Sequence, residues 1–511
     1  MTAAQPYFLT TPIYYVNDLP HLGHAYTTVA CDALARFMRL DGRKVKFLTG
    51  SDEHGQKVEQ SARAAGIAPQ EFCDRISPAW QEMTKLLNIS NDDFIRTTEP
   101  RHVRGVEALW LELERRGEIY LGRFAGWYSV RDEAFYDESE LVDGKAPTGA
   151  DVEWLEEENY FFRLSAWQDR LLAWYAANPD AIAPRGRRNE VISFVKGGLK
   201  DLSISRTSFS WGIPVPGDPK HVIYVWLDAL INYITALGYP DTGGEFATFW
   251  PADLHMVGKD ILRFHTVYWH AFLMAAGIEP PRRVFAHGWW TVEGQKMSKS
   301  LGNFIPPKQL VDTYGLDPLR YFMLRELPFG NDGDFSHRAI VGRLNGDLAN
   351  DFGNLAQRVL AMINRNCAAK IPEPGAYTEA DQKLLTEAMD LLDRVRPLMQ
   401  EQAFHLALEA IWRVVAEANR YVDEQAPWAL RRTDPARMQT VLYVLAETLR
   451  HLAILTQPFV PDAATALLDQ LSVPAAARQF ADLATPLPPG RELPAPHGIF
   501  PRFVEAEPAG A

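Results

Sequence analysis

Two histidines three residues apart and two lysines three residues apart are the side chains of this sequence best suited to chemistry. The first pair stands in Pro20-His21-Leu22-Gly23-His24, the second far downstream in Lys296-Met297-Ser298-Lys299-Ser300. Each has a plain reading by itself. An isolated His-x-x-His can be half of a metal site, and a short lysine run is commonly a solvated loop. Together, in this order and each preceded by a strand-like run, they fit the gripping of a triphosphate from two sides. Imidazoles and a helix start beside His24 offer donors to anionic oxygens. Lysines on a loop add positive charge where negative charge accumulates during attack at phosphorus. The chemistry implied is nucleotidyl transfer.

The elements that must position these groups read as βαβ. Tyr7 to Tyr15 is rich in aromatic and β-branched residues, as strands are. From Thr27 to Leu40, residues Val29, Ala33, Leu34, Phe37 and Met38 share a helical face, and Gly42 stands as a C-cap. Val45, Phe47 and Leu48 make a second strand that runs into Asp52-Glu53-His54-Gly55. Ligands of an open parallel sheet bind beyond the C-terminal ends of its strands, where the histidine turn and the Asp52 loop both fall. No Gly-x-Gly-x-x-Gly is present, which disfavours a dehydrogenase-type dinucleotide fold.

Residues 118–215 break this rhythm with Gly122, Gly126, Gly144, Gly149 and an acidic run at Glu153, Glu156, Glu157 and Glu158, and read as an inserted domain. The α/β pattern resumes with a strand over His221–Trp226 and an apolar helix to Leu237. A further strand over His255–Asp260 follows, then a last one over Val284–Trp290 leading to the lysine loop. Long helical periodicity begins near residue 345 and reads as a bundle. The expected organisation is a catalytic Rossmann-like α/β domain in two halves, 1–117 and 216–290, interrupted by 118–215. A lysine-loop and stem-contact region (291–345), an all-α domain (346–485) and a Pro-rich tail (486–511) complete it.

Bulk properties narrow the class. With 47% apolar and 23% charged residues the 511-residue chain is an ordinary globular one, long enough for about three domains. No run reaches the ~18 apolar residues that span a bilayer, and Met1-Thr2-Ala3-Ala4-Gln5-Pro6 lacks the regions of a signal peptide. Three scattered cysteines (Cys31, Cys73, Cys367) exclude a disulfide framework and fit a reducing, cytoplasmic setting. The net charge of −13 argues against a basic footprint over the whole molecule. It leaves room for local patches such as Arg185, Arg187, Arg188, Lys196 and Lys200, which charge alone would place on solvated faces.

The chain resembles bacterial methionyl-tRNA synthetases, which are class I aminoacyl-tRNA synthetases, along nearly its whole length. The carriers are the two motifs above, Asp52-Glu53-His54-Gly55, Tyr224-Val225-Trp226-Leu227-Asp228-Ala229, Gly258-Lys259-Asp260, and the stretch from Asn419 to Trp428. The resemblance implies activation of L-methionine with ATP and Mg²⁺ to methionyl-adenylate and pyrophosphate, then transfer to tRNA(Met), initiator tRNA included. It implies His21, His24, Lys296 and Lys299 as catalytic groups. It implies ATP contacts from His21, Gly23, His24, Gly258, Lys259, Asp260, His287, Gly288 and Lys299. For methionine it implies Asp52 on the ammonium and a sleeve of Ile13, Tyr15, Trp226, Ala229, Leu230, Tyr233, Ile261 and His265. His265 or Tyr15 could then offer the thioether a weak hydrogen bond. Leu230 stands where many relatives carry proline. Without the resemblance, Asp52 could equally cap a loop, and Trp226 and Tyr233 would be read as core.

Asn354, Arg358 and Trp428 are implied as readers of the CAU anticodon, although Trp428 by itself would be read as a packing residue. Some relatives carry zinc-binding Cys-x-x-Cys pairs in the insertion. Here Tyr128-Ser129-Val130-Arg131-Asp132 takes the first such place, so no metal site and no structural zinc are expected. The chain ends without the appended dimerisation domain of longer relatives, which implies a monomer. Three rivals are open at this stage. A synthetase for another apolar amino acid should carry a larger insertion, and a dinucleotide-forming nucleotidyltransferase should lack the helical domain. A non-catalytic tRNA-binding paralogue should have lost His24, Asp52 or Lys299.

Overall fold

Seven strands form a parallel sheet. They are β1 (Pro6–Thr10), β2 (Tyr14–Tyr15), β3 (Lys44–Asp52), β4 (Asp93–Arg96), β5 (Ile182–Ala183), β6 (Leu254–Gly258) and β7 (Val284–His287). The computed structural model describes residues 4–16, 19–132, 134–292, 294–296 and 305–505. The chain divides into two units. One holds Pro6–Cys31 and Val45–His287; the other holds the start of the chain to Gln5, Asp32–Lys44 and everything from Gly288 onward.

In the first unit the sheet order is β2-β3-β1-β6-β7-β5, with β4 also on β3. Thr10 lies level with His255, and Gly258 with His287. The chain leaves β1 toward β3 on one side and returns to β6 on the other. That reversal opens a crevice at the C-terminal ends of β1 and β6, where open α/β sheets bind ligands. Sequence reading joined β1 and β2 into one strand. The structure separates them around Pro12, which has no N–H to give to a ladder.

Helix α1 (Leu22–Leu40) follows β1 and buries Val29, Ala33, Leu34, Phe37 and Met38, the face its periodicity marks. It ends as expected. Gly42 takes φ 79°, and the N–H groups of Gly42 and Arg43 reach back to the carbonyls of Arg39 and Met38 in a Schellman closure.

The insertion contains a four-stranded antiparallel sheet in which Ile119–Ser129 runs beside Glu153–Phe162 from Ile119↔Phe162 to Tyr128↔Glu153. Two elements differ from the sequence reading. The strand expected over His221–Trp226 is Asp218–Ile223, and it joins Ser205–Arg206 and Pro214–Val215 in a separate antiparallel sheet. Trp226 therefore lies on the helix Val225–Leu230. The strand expected over Val284–Trp290 stops at His287. A Cβ on Gly288 would sit 2.3 Å from backbone atoms of Asn331, so only glycine lets the chain pass there. Trp290–Val292 then pairs in another sheet with Gly333–Phe335 and with Gln295–Lys296.

In the second unit, long helices dominate. Phe404–Gln425 buries one face, whereas Pro435–Thr456 is buried without a break from Thr440 to Thr456 and forms the axis of the bundle. Arg320 and Asp32, both fully buried, pair at 2.6 Å within this unit. Residues 486–505, read from sequence as a tail, run without regular helix and bury Leu487, Leu493 and Phe500. Among the described residues no helix is long and apolar enough to cross a membrane.

Candidate active site

The histidine turn is built by its own backbone. The N–H of Gly23 donates to His21 Nδ1 at 3.0 Å, and the N–H of His21 donates to His24 Nδ1 at 3.3 Å. With each Nδ1 accepting, the proton of each neutral ring belongs on Nε2, as a donor. The rings lie 3.8 Å apart between centroids. His24 packs edge-on against Trp80 and Tyr14, which stack on each other. That burial, and next the neighbouring His21, hold the His24 imidazole well below its ordinary pKa. His24 is thus a neutral donor. A Cβ on Gly23 would lie 3.0 Å from the His21 ring, so glycine lets the imidazole fold back on the turn. The Thr27 hydroxyl donates to the Gly23 carbonyl and accepts from His287 Nε2 at 2.7 Å, tying α1 to the end of β7.

The residues expected on the nucleotide side end or follow β6 and β7. Gly258 ends β6 opposite His287, and a Cβ there would press to 2.6 Å on the Asp260 carboxylate. Lys259, Asp260 and Ile261 form a short 3₁₀ turn directly after it. Gly288 lies in the second unit. So does Lys296, whose backbone ends the hairpin paired to Thr291. Lys299 lies outside the described residues.

Asp52 closes β3 level with Tyr15 and is buried, at 9% exposure. Its loop is held from several sides. Glu53 takes a bidentate pair from Arg96 at 2.7 and 2.9 Å and accepts from Ser51 and Thr98. The Trp211 indole N–H donates to the Glu53 carbonyl at 2.6 Å. Half-buried Ile13, Tyr15, Trp226 and Ile261 each pack against the unit's hydrophobic core, while Ala229 and Leu230 are buried. Trp226 stacks face to face on Phe264, with 3.8 Å between centroids and 7° between planes. Phe264 went unremarked in the sequence, though it precedes His265.

Residues Phe264–Tyr268 form a single π-helical turn, a distortion that is frequent at functional sites. It lets His265 use both ring nitrogens. Nδ1–H donates to the Ile261 carbonyl at 2.9 Å, and Nε2 accepts from the Tyr233 hydroxyl at 2.7 Å. Burial then pushes its pKa down to about 4, so it is neutral near pH 7. The expectation that His265 could donate to a thioether is thereby corrected. Its one proton is already committed to the Ile261 carbonyl.

Comparisons with known proteins identify the family. A family model described as tRNA synthetases class I (M) matches residues 7–153 and 140–360. Another, the anticodon binding domain of methionyl tRNA ligase, matches 371–510. A methionine–tRNA ligase of Brucella suis biovar 1 is 60% identical over 509 residues, which cover 98% of this chain and 99% of that one. One from Rhizobium meliloti is 55% identical, covering 99% and 100%. The solved Mycobacterium tuberculosis methionyl-tRNA synthetase in complex with methionyl-adenylate superposes with a TM-score of 0.96 at 55% identity, covering 98% and 100%. This chain belongs to the methionyl-tRNA synthetase family. It is a class I aminoacyl-tRNA synthetase that joins methionine to tRNA, and its C-terminal helical domain is the anticodon-binding domain of that family.

In the second unit, Asn354 opens the helix Asn354–Asn366 directly after a second π-helical segment, Leu344–Gly353, and is exposed. Arg358, one turn on, donates to Asp423 at 2.8 Å, and its guanidinium stands 5.6 Å from the Trp428 ring. Trp428 is 49% exposed. The plain reading of it as a packing residue fails. Ala426 in the left-handed region and Pro427 end one helix and start the next, which turns the indole out.

In the insertion, Asp132 closes the loop that begins at Tyr128. Its backbone N–H meets Ser129 Oγ at 3.2 Å, and its carboxylate accepts from Tyr136 at 3.1 Å and from Thr148. Arg131 adds a bond to the Thr148 carbonyl at 2.6 Å. These hydrogen bonds close the loop. Elemental analysis of the purified protein should therefore find no stoichiometric zinc. Zinc retained through gentle chelation would contradict this and return the His21–His24 pair to consideration as ligands.

Proposed function

We propose that Asp52 takes the ammonium of L-methionine while Tyr15, Trp226, Tyr233 and their apolar neighbours Ile13, Ala229, Leu230, Ile261 and His265 enclose its thioether. The methionine carboxylate attacks the α-phosphorus of ATP, the bond to the β-phosphate oxygen breaks, and pyrophosphate leaves. The methionyl-adenylate is then attacked at its carbonyl carbon by a terminal ribose hydroxyl of tRNA(Met), elongator or initiator, and AMP departs. The substrate carboxylate is already ionised, so the first step needs no general base. Catalysis rests on alignment and on donors aimed at developing charge. His21, Gly23 and His24 are assigned to the phosphates, Gly258, Lys259, Asp260, His287 and Gly288 to the nucleoside side, and Lys296 and Lys299 to the departing pyrophosphate.

Mg²⁺ enters with ATP, as an ion that keeps several waters and binds through phosphates. Among the described residues no group of three or more His, Cys, Asp or Glu could hold a metal ion. Asn354, Arg358 and Trp428 read the anticodon, and the enzyme works as a cytoplasmic monomer.

The observation that carries the reading is a buried carboxylate at a parallel-sheet edge, level with Tyr15, in the unit that also holds the stacked Trp226–Phe264 pair. That is one anionic anchor and a polarizable apolar sleeve, which suits an amino acid with a soft sulfur. Amino-acid-dependent ATP–pyrophosphate exchange across the twenty amino acids tests it. Exchange with methionine should far exceed that with leucine, valine or isoleucine. Isosteres of methionine should be rejected less well, because a methylene is worth only ~1–3 kcal/mol in an apolar pocket. Strong exchange with another amino acid and none with methionine would sink the reading.

A further inference from the structure

One carboxylate ties together three elements behind the methionine pocket, and no role has yet been given to it. Asp228 is completely buried on the six-residue helix Val225–Leu230. Its Oδ2 accepts from His54 Nδ1 at 2.7 Å and its Oδ1 from His102 Nε2 at 2.7 Å. His54 lies two residues beyond Asp52, and Asp228 lies two residues beyond Trp226. His102 stands on the helix Pro100–Arg115 and meets Thr235 Oγ1 at 2.9 Å with its other nitrogen. That helix comes close because of Gly105, where a Cβ would lie 2.2 Å from the Thr235 methyl. Burial alone would raise the Asp228 pKa. The two imidazoles outweigh it and bring the carboxyl down to about 2, so it is an anion at any working pH.

The helix Val225–Leu230 needs such a tie. It spans less than two turns and has no side-chain cap. Nothing in its own length fixes how far Trp226 stands from the Asp52 loop. Through His54, Asp228 joins the element that carries the thioether wall to the loop that carries the ammonium anchor.

We propose that Asp228 is a positioning residue for methionine, holding Asp52 and Trp226 at a fixed separation through His54, with His102 bracing the far side, and so setting the length of amino acid the pocket accepts. This rests on the assignment of Asp52 and Trp226 made above. The carboxylate accepts from two donors at once; an amide has only one oxygen and would face the other imidazole with its own N–H₂.

The experiment is steady-state ATP–pyrophosphate exchange on Asp228→Asn, His54→Ala, His54→Asn and Asp52→Ala, with methionine and with ethionine, one methylene longer. Asp228→Asn and His54→Ala should raise KM for methionine about tenfold and leave KM for ATP within about twofold. Both should narrow the preference for methionine over ethionine. His54→Asn should restore most of the loss, because an asparagine amide nitrogen can reach the place of Nδ1. Equal losses with both substrates, an unchanged methionine-to-ethionine ratio, or no rescue by His54→Asn would mean a merely structural carboxylate and overturn the proposal. If Asp228→Asn does not fold, the two His54 variants decide by the same ratio and rescue. A normal methionine KM in Asp52→Ala would instead show that the pocket itself was misassigned. A raised KM in Asp52→Ala beside unaltered Asp228→Asn and His54→Ala would reject the positioning role alone.

Discussion

Asp52→Ala is expected to raise the KM for methionine by about two to three and a half orders of magnitude while leaving the KM for ATP near that of the parent enzyme. The carboxylate is buried at the end of β3, in a loop held by Glu53, Arg96 and Trp211. A substrate ammonium drawn into such a place without a partner is an uncompensated buried charge, and removing one member of a buried pair costs ~3–5 kcal/mol. At ~1.4 kcal/mol per tenfold this gives the stated range. Lys299→Ala should fail differently. In its proposed role its charge acts as pyrophosphate departs, and loss of one donor aimed at developing charge costs about 10²–10³ in kcat. Methionine KM should change little there, since ground-state binding does not use that charge. Exchange kinetics with each substrate varied in turn separate the two patterns. Near-normal kinetics in both variants would mean the motifs have been misread.

The elements around the histidine turn and the Asp52 loop were legible because they rest on local features that sequence carries well. The α1 face from Val29 to Met38, the Gly42 closure and the βαβ order all follow from periodicity and from glycine's freedom at positive φ. Once that order is known, the C-terminal ends of β1 and β6 are the natural crevice, and the histidine turn and Gly258 must lie at it. The rest was hidden because it depends on contacts between distant segments. Asp228 meets His54 across 174 residues and His102 across 126, and neither spacing leaves a pattern in the chain. The strand expected over His221–Trp226 failed for a similar reason. Apolar alternation marks a strand but not which sheet it joins, and the sheet here is antiparallel and separate. The donor role considered for His265 was lost to the π-turn, a backbone irregularity that lets its ring meet both the Ile261 carbonyl and the Tyr233 hydroxyl.

The helical domain inverts that relation, for there the sequence alone favoured the wrong environment. An aromatic after Pro427 in a run of helical periodicity reads as core, yet Trp428 stands half in solvent beside the Arg358 guanidinium, with exposed Asn354 one turn before Arg358 on its helix. A large exposed ring with an amide and a guanidinium is the set that reads unstacked RNA bases by stacking and by edge hydrogen bonds.

Trp428→Ala should therefore lower aminoacylation of methionine tRNA by about one to two orders of magnitude, since one stacked base is worth ~1–3 kcal/mol. ATP–pyrophosphate exchange without tRNA should stay close to that of the parent, because Trp428 belongs to a different unit from Asp52, His24 and Trp226. Its melting temperature should hardly move, because truncating a ring already 49% exposed removes little buried area. A packing residue would give the opposite pattern, with a lowered melting curve and both activities damaged together. Arg358→Ala sharpens the distinction. It breaks the Asp423 pair and removes the charge beside the indole while leaving the indole itself, and should weaken charging of methionine tRNA with exchange again intact. Equal charging by parent and both variants would take base recognition away from this face of the helical domain.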